Sequence, residues 1–225
     1  TRMKKTDYTD LFEKNRPNNQ NLPLAVRMRP VTLEEFVGQG HILGKGKLLR
    51  RAIEADRLSS LILYGPPGTG KTSLAYCIAN KTDSYFESIN AVTSNVEELR
   101  KIIAAAKSRK INSGKKTILF IDEIHRFNKA QQDVLNPDVE KANLILIGAT
   151  VHNPFFSLVS ALLSRSLVFE LKPLKEKEIL IILERSLSDK ERGLANFAVK
   201  MEKGALEFLS RISDGDARRG LNALE

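Results

Sequence analysis

The sequence predicts an α/β fold with a parallel sheet, followed by a smaller unit made only of helices. Short apolar segments alternate with helical patterns through most of the chain, and segments typical of strands stop after Pro173. Strands that alternate with helices pair in parallel, because each helix carries the chain back to the edge where the next strand starts. We therefore expect a flexible polar arm over residues 1–22, a core over residues 23–172 and a helical unit over residues 173–225.

The candidate strands are short, and several of them are apolar throughout and rich in β-branched residues. This composition is typical of strands that are covered by helices on both faces of a sheet. The five segments are Leu61–Tyr64, Ser84–Ile89, Thr117–Ile121, Leu144–Gly148 and Leu167–Leu171.

Apolar residues three or four positions apart predict the helices. The longest such pattern runs from Val96 to Ala106, and we expect this helix to end near Ser108. The helical unit contains three further patterns, at Glu176–Leu187, Ala205–Ile212 and Asp216–Leu224. The last pattern reaches Glu225, so we expect the helical unit to be incomplete here.

The composition of the 225 residues is that of a globular protein, with 42% hydrophobic and 28% charged residues. No apolar run approaches the roughly 18–20 residues of a membrane helix, and the first residues lack the apolar stretch of a secretory signal. The single cysteine, Cys77, excludes an internal disulfide and we expect it in the core. These features predict an intracellular protein without a membrane partner.

The chain is basic, with a formal net charge of +9 and a pI near 9.6. One interpretation is a solvated surface without a polymer partner. The other is a protein that binds a polyanion such as nucleic acid. The net charge alone leaves both open.

A glycine-rich motif of the form G-x-x-x-x-G-K-[ST] follows the first strand. It consists of Gly65, Pro66, Pro67, Gly68, Thr69, Gly70, Lys71 and Thr72. The glycines let backbone N–H groups turn inward as a cradle for phosphates, and the start of the next helix adds partial positive charge. Lys71 can reach the β- and γ-phosphates of ATP, and the hydroxyl of Thr72 can hold Mg²⁺. The alternative is a tight turn without a ligand.

Two carboxylates stand at the end of the third strand. Asp122 and Glu123 follow four apolar residues, and ligands of open α/β sheets bind at that edge of the sheet. We expect Asp122 to hold Mg²⁺ and Glu123 to polarise the water that attacks the γ-phosphate. Taken alone, such a strand end could equally be an acidic surface cap.

These motifs together resemble AAA+ ATPases, whose fold is a P-loop core followed by a helical lid. Five segments narrow the resemblance to the replication-associated recombination protein A family, also called maintenance of genome stability protein A, whose eukaryotic member is the Werner-helicase-interacting ATPase. They are Pro23–Pro30, Phe36–Gln39, Phe120–Lys129, Ser160–Arg165 and Gly215–Arg219.

The resemblance implies roles for residues that the motifs alone do not assign. Val37 and Gly38 would line the adenine pocket. Asn90 would be a polar switch that restrains Glu123.

The resemblance also implies two arginines that complete the hydrolysis site. Arg165 would be an arginine finger donated to the ATP of a neighbouring subunit, and Arg218 would contact the γ-phosphate of its own subunit. The family acts at stalled replication forks and DNA ends as an ATP-driven tetramer with Mg²⁺. A bacterial member would be cytoplasmic and associated with the nucleoid, and a eukaryotic member would be nuclear.

The chain departs from the family pattern after the fourth strand. The family commonly reads Gly-Ala-Thr-Thr there, whereas this chain has Val151 in place of the second threonine. Thr150 or Asn153 would have to orient the attacking water instead, and hydrolysis would then be slow.

Two segments are candidate partner sites. A predicted loop contains four cations that could contact DNA phosphates: Arg109, Lys110, Lys115 and Lys116. The alternative is that these cations only stabilise the end of the preceding helix through its dipole. Asp10–Phe12 in the arm resembles the tail of a peptide that binds a sliding clamp. A single-strand-binding protein is a further candidate partner.

Three classes of function compete at this point. The first is an ATPase of DNA replication, recombination and repair. The second is a protein-unfolding motor, which the absence of an aromatic residue in Asn90–Val96 disfavours. The third is a clamp-loader-like or non-hydrolysing ATP-binding scaffold, which Val151 favours and the retention of Glu123, Arg165 and Arg218 disfavours.

Overall fold

The computed structural model describes residues 21–197, 199–202 and 204–225. Almost all of the arm predicted over residues 1–22 lies outside the described residues. The candidate clamp-binding segment Asp10–Phe12 lies outside them as well.

The core of the protein is a five-stranded sheet with the strand order β2-β3-β4-β1-β5. Every neighbouring pair of strands is parallel, which confirms the predicted α/β fold. The strands begin and end within two residues of the predicted positions. They are β1 Leu61–Tyr64, β2 Tyr85–Asn90, β3 Thr117–Asp122, β4 Ile145–Thr150 and β5 Leu167–Glu170.

Helices connect the strands and cover both faces of the sheet. The helices of the core are α1 Leu24–Arg27, α2 Gly40–Leu43, α3 Leu48–Glu54, α4 Lys71–Lys81, α5 Val96–Ser113, α6 Lys129–Glu140, α7 Pro154–Ser157 and α8 Ser160–Leu163. The helical unit contains α9 Glu176–Ser188, α10 Ala205–Ile212 and α11 Ala217–Leu224. Single turns of 3₁₀ helix lie at Ile124–Arg126 and Ala195–Phe197. Among the described residues, no helix combines the length and the apolar character needed to cross a membrane.

Alternating side chains of the strands fill two separate cores. On one face, Leu63 and Phe120 pack with Leu74 and Ile78 of α4. On the other face, the residues of the strands pack against α5 and α6. This two-sided burial explains why the central strands are apolar throughout.

Helix α5 is longer than the sequence pattern indicated. It continues past Ser108 to Ser113 and ends at Gly114, which adopts a left-handed conformation with φ of 67°. The expectation that residues 109–116 form a loop was therefore wrong for Arg109 and Lys110, which are helical. A glycine just past a helix end is a common stop signal, and here it marks the end correctly.

A third apolar cluster joins the start of the core to the helical unit. Leu24 and Met28 at α1 pack with Leu174, Ile179 and Leu183 around α9. The first turn of the core thus shares its apolar contacts with the helical unit, and the predicted boundary near residue 173 is bridged by side chains. This contact sets the position of α1 beside the sheet edge described next.

Candidate active site

The glycine-rich loop lies between β1 and α4 and is closely packed. Gly65, Gly68 and Gly70 have φ of 147°, 68° and 99°. A Cβ atom at Gly70 would lie 2.8 Å from the ring of Phe36, and the hydroxyl of Thr69 donates to Pro66 O at 2.9 Å. These positions need glycine both for backbone conformation and for space.

Lys71 begins α4 and turns back over the loop. Its Nζ donates to Gly65 O at 2.7 Å and to Pro66 O at 2.8 Å. Burial lowers the pKa of Lys71, while the carboxylates of Glu123 and Asp122 oppose that shift. The ammonium group is thus partly removed from water and bound by neutral acceptors that an anion can replace.

The acid pair lies at the carboxyl end of β3. Burial raises the pKa of Asp122, with Lys71 and Arg218 acting in the opposite direction. Glu123 has a left-handed backbone with φ of 54°, and its N–H donates to Asp122 Oδ1 at 3.1 Å. A left-handed glutamate is uncommon, and such conformations concentrate at functional sites.

A histidine, His125, contacts Glu123 of this pair. His125 Nδ1 lies 3.3 Å from Glu123 Oε2 and 3.0 Å from Thr150 Oγ1. The ring of His152 packs edge-on against His125, with the centroids 4.4 Å apart. The spacing Glu-x-His after a strand was the only sequence signal for this contact.

An open cleft of about 490 Å³ lies between the sheet edge and the helical unit. Ten of the predicted site residues line it. They are Val37, Pro67, Gly68, Thr69, Gly70, Lys71, Thr72, Asp122, Glu123 and Arg218. The segment from Pro23 to Pro30 also contributes to the lining, which the sequence did not indicate beyond its family resemblance. Val151 lines the cleft as well.

The helical unit closes onto the glycine-rich loop. Ala217 N donates to Gly68 O at 3.2 Å, and a Cβ atom at Gly68 would collide with the carboxylate of Asp216. A Cβ atom at Gly38 would lie 2.5 Å from Leu174 Cδ2. Gly38 therefore supports the contact with the helical unit, whereas its neighbour Val37 lines the cleft.

Gln39 is a buried residue that ties these parts together and that sequence reasoning missed. Its Nε2 donates to Lys172 O at 2.7 Å and to Thr69 O at 3.4 Å, and its Oε1 accepts from Lys172 N at 3.0 Å. The side chain links the loop to the point where β5 leads into the helical unit. Its left-handed backbone, with φ of 57°, starts α2.

The residues expected to compensate for Val151 are engaged elsewhere. Thr150 Oγ1 contacts His125 and accepts from His152 N at 3.0 Å. Asn153 Oδ1 accepts from Phe155 N at 3.0 Å and so begins α7. Among the described residues at the end of β4, Val151 is the one that reaches the cleft lining.

Asn90, the predicted switch, ends β2 beside Asp122 in the register of the sheet. Its Oδ1 accepts from Val92 N at 2.8 Å, which closes a turn after the strand. The neighbour that the described residues provide for the Glu123 carboxylate is His125.

Arg165 lies apart from the cleft lining, after α8. Its Nη2 pairs with Glu140 Oε2 at 2.8 Å, and its Nη1 donates to Ala161 O at 2.7 Å. Both members of the ion pair are partly exposed, at 32% and 60%. A finger that serves a neighbouring subunit has to lie on such an outer surface.

The four candidate DNA contacts all have partners within the chain. Arg109 stacks on the ring of Tyr85 at 3.5 Å, and Lys110 Nζ donates to Ala142 O at 2.8 Å. Lys115 pairs with Asp83 at 3.5 Å, and Lys116 Nζ donates to Asp56 O at 3.0 Å. Their role toward DNA stays a prediction, and these contacts give each cation a structural role.

Comparison with known proteins matches the fold and the motifs. A family model described as "ATPase family associated with various cellular activities (AAA)" matches residues 61–174. The chain is 51% identical over 208 residues to replication-associated recombination protein A of Coxiella burnetii, covering 92% of this chain and 47% of that protein. The protein of the same name from Escherichia coli K12 is 48% identical over 208 residues, covering 92% of this chain and 46% of the relative.

A solved structure is also similar. Thermotoga maritima RuvB, described as a Holliday junction branch migration motor, superimposes with a TM-score of 0.71 at 30% identity, covering 88% of this chain and 64% of RuvB. The chain spans about half the length of the curated relatives that it matches.

Proposed function

This chain belongs to the AAA family of ATPases and to the replication-associated recombination protein A family within it, and from that premise we propose that it binds and hydrolyses ATP. One observation carries the proposal: the cleft of about 490 Å³ has Lys71, Asp122, Glu123 and Arg218 together in its lining. Its volume is within the range of about 300–1,000 Å³ typical of small-molecule sites.

The residues present fit a magnesium nucleotide. Asp122 is a partly buried carboxylate whose pKa is raised by burial, and hard cations take oxygen ligands of this kind. Thr72 Oγ1 belongs to the same lining, and we propose that these two residues hold Mg²⁺. The metal, when bound, neutralises charge on the phosphate oxygens.

The remaining chemistry belongs to the side chains of the cleft. Lys71 exchanges its two carbonyl acceptors for phosphate oxygens, and the left-handed glycines present backbone N–H groups to the same anion. Glu123 accepts a proton from the attacking water. Arg218 stabilises negative charge from the side of the helical unit.

We propose that Arg165 acts on the ATP of a neighbouring copy in an oligomer, a tetramer by family resemblance. Its position outside its own cleft supports a role in trans. The ion pair with Glu140 has to break for this, which costs about 0–1 kcal/mol for a partly exposed pair. An arginine finger raises the rate by about 10³–10⁵ in related reactions, which corresponds to about 4–7 kcal/mol of the activation free energy. The cost of breaking the ion pair is small compared with that gain.

We propose DNA at replication forks or ends as the substrate of the assembled machine. The names of the relatives support this, because they refer to replication-associated recombination and to branch migration. The net charge of +9 is compatible with a polyanionic partner.

A second candidate function is a non-hydrolysing, clamp-loader-like subunit. Val151 supports it, because a hydrocarbon side chain at this position of the lining cannot hydrogen bond the attacking water.

The test is ATP turnover by the complete, assembled protein with and without forked DNA. Glu123→Gln is expected to lower kcat by about 10²-fold or more with ATP binding retained. Arg165→Ala is expected to lower kcat by about 10³-fold, and Glu140→Ala, which removes only the surface partner, is expected to leave kcat within about twofold.

Two results would contradict the proposal. Wild-type protein that binds ATP without turnover favours the scaffold. Full activity of Arg165→Ala, in an assembly of unchanged size, rules out the role in trans.

A further inference from the structure

The side chain of His125 contacts Glu123, the predicted catalytic carboxylate. Its Nδ1 lies 3.3 Å from Glu123 Oε2, and its side chain is 8% exposed while that of Glu123 is 36% exposed. The same nitrogen lies 3.0 Å from Thr150 Oγ1. One ring atom therefore connects the acid at the end of β3 with the last residue of β4.

The turn that carries both residues is rigid. Arg126 N donates to Glu123 O at 2.8 Å, which closes the 3₁₀ turn. Ile124, between the acid and the histidine, is fully buried in the core beneath the sheet edge. The left-handed backbone of Glu123 and this anchor leave little freedom in the relative position of the two side chains.

The hydrogen-bond network indicates which group donates. Thr150 Oγ1 accepts from His152 N at 3.0 Å and lies 3.4 Å from His152 O, to which its hydroxyl can donate. Burial lowers the pKa of His125, although Glu123 opposes this, and the lowered pKa favours the neutral ring. A neutral ring with its proton on Nδ1 can donate to Thr150 Oγ1, and the Glu123 carboxylate lies beside the same edge of the ring.

We infer that His125 is a positioning residue that fixes the orientation of the Glu123 carboxylate and couples it to Thr150. This inference rests on the proposed ATP hydrolysis and deepens it. Asn90, which the resemblance suggested for control of Glu123, accepts from Val92 N through its side-chain oxygen.

The coupling extends to the nucleotide loop. Thr150 O accepts from Gly65 N at 3.2 Å, so a chain of contacts runs from Glu123 through His125 and Thr150 to the start of the glycine-rich loop. A change in the position of the loop can therefore reach the carboxylate through β4. Without His125, the carboxylate of Glu123 can rotate, and a smaller fraction of its orientations has the geometry needed to accept a proton from water.

The test is steady-state ATP hydrolysis by the complete, assembled protein carrying His125→Ala or His125→Asn. Loss of the contact between His125 and the Glu123 carboxylate is expected to lower kcat about tenfold in His125→Ala, with KM and the Kd of a fluorescent ATP analogue within about twofold of wild type. His125→Asn is expected to recover part of that loss, because its amide N–H can replace Nδ1–H. His41→Ala is the matched control, since His41 is an exposed histidine that contacts Glu170 O, and kcat is expected to stay within about twofold.

A double-mutant cycle tests the coupling itself. Thr150→Val combined with His125→Ala is expected to cost less than the sum of the two single changes, because each change removes the same hydrogen bond between His125 and Thr150. Additive losses would overturn the coupling to Thr150.

The variants distinguish a failure of this inference from a failure of the proposed function. If wild type and Glu123→Gln turn over ATP equally, hydrolysis by this site fails. If wild type is active and His125→Ala matches or exceeds it, or if Asn90→Ala has the larger effect, only the positioning role of His125 fails. If His125→Ala does not fold, His125→Phe decides, since it keeps an aromatic ring but has no N–H, and an unchanged kcat in this variant contradicts the positioning role.

Discussion

Val151 lines the cleft, and the family resemblance implies a threonine at this position. Its side chain is 37% exposed and belongs to the lining, while Thr150 is buried and engaged with His125. A hydroxyl at position 151 would face the same space as Glu123. We therefore expect the residue to affect how well a water molecule is oriented rather than how ATP binds.

We predict that Val151→Thr raises kcat severalfold, because the β-branched shape is kept while a hydrogen-bonding group is added to the lining. The KM for ATP should change less than twofold. Steady-state turnover of the assembled protein measures both. Val92→Thr, the same change at a residue that is 66% exposed on the turn after β2, is the control and should have no effect. A fall in kcat for Val151→Thr would mean that the apolar contact itself is needed.

At the scale of single residues, the sequence predicts which residues belong to the site better than it predicts which side chains touch. The motif around Lys71 and the pair Asp122 and Glu123 could be recognised because spacing along one loop or one strand places them. The contact of His125 with Glu123 depends on a left-handed backbone and on β4, which lies next to β3 only after folding. Local spacing carries no information about such a neighbour.

Helix α5 shows how tertiary contacts extend an element beyond its apolar pattern. Its basic end packs against the end of α6: Lys110 Nζ donates to Lys141 O at 3.2 Å and to Ala142 O at 2.8 Å. Lys107 pairs at 2.9 Å with Asp138, a buried carboxylate that also accepts from Asn143 Nδ2 at 2.7 Å. These contacts explain why the end of α6 is polar and why α5 continues for an extra turn. The periodicity of apolar residues within one helix could not predict contacts between two helices.

We predict that Lys110→Ala destabilises the protein by about 1 kcal/mol, because the final carbonyl groups of α6 lose a charged donor. For a domain of this size, this corresponds to a fall of about 2–4 °C in Tm. Lys101→Ala is the matched control on the same helix. In the described part of the chain Lys101 pairs with exposed Glu97, so the cost should stay below about 0.5 kcal/mol. Thermal unfolding followed by circular dichroism measures both. Equal Tm values for the two variants would show that the contact with α6 does not stabilise the fold.

At the scale of the whole molecule, helix α1 has two roles. Its side chains pack against the helical unit, and the same helix lines the cleft. Leu24 N donates to Glu225 Oε2 at 2.9 Å, and Arg27 Nη1 donates to Gly193 O at 3.2 Å. Between them, Val26 lines the cleft. We therefore expect movement of the helical unit, which also carries Arg218, to displace the N-terminal wall of the cleft. The division of the chain at residue 173, which follows from the end of the strand pattern, could not anticipate this, because the contact joins residues about 200 positions apart.

We predict that Leu24→Ala weakens both the fold and the cleft. Leu24 is fully buried in the cluster with Leu174 and Ile179, and truncation of such a residue costs about 2–5 kcal/mol. Because the wall formed by α1 loses its anchor, the Kd for ATP should rise at temperatures where the protein is still folded. Leu48→Ala, which truncates a leucine that is 61% exposed, should change the free energy of unfolding by less than about 0.5 kcal/mol and leave the Kd for ATP unchanged. Urea unfolding with and without ATP measures both quantities. A loss of stability without any change in the Kd for ATP would mean that α1 supports the helical unit but does not shape the nucleotide site.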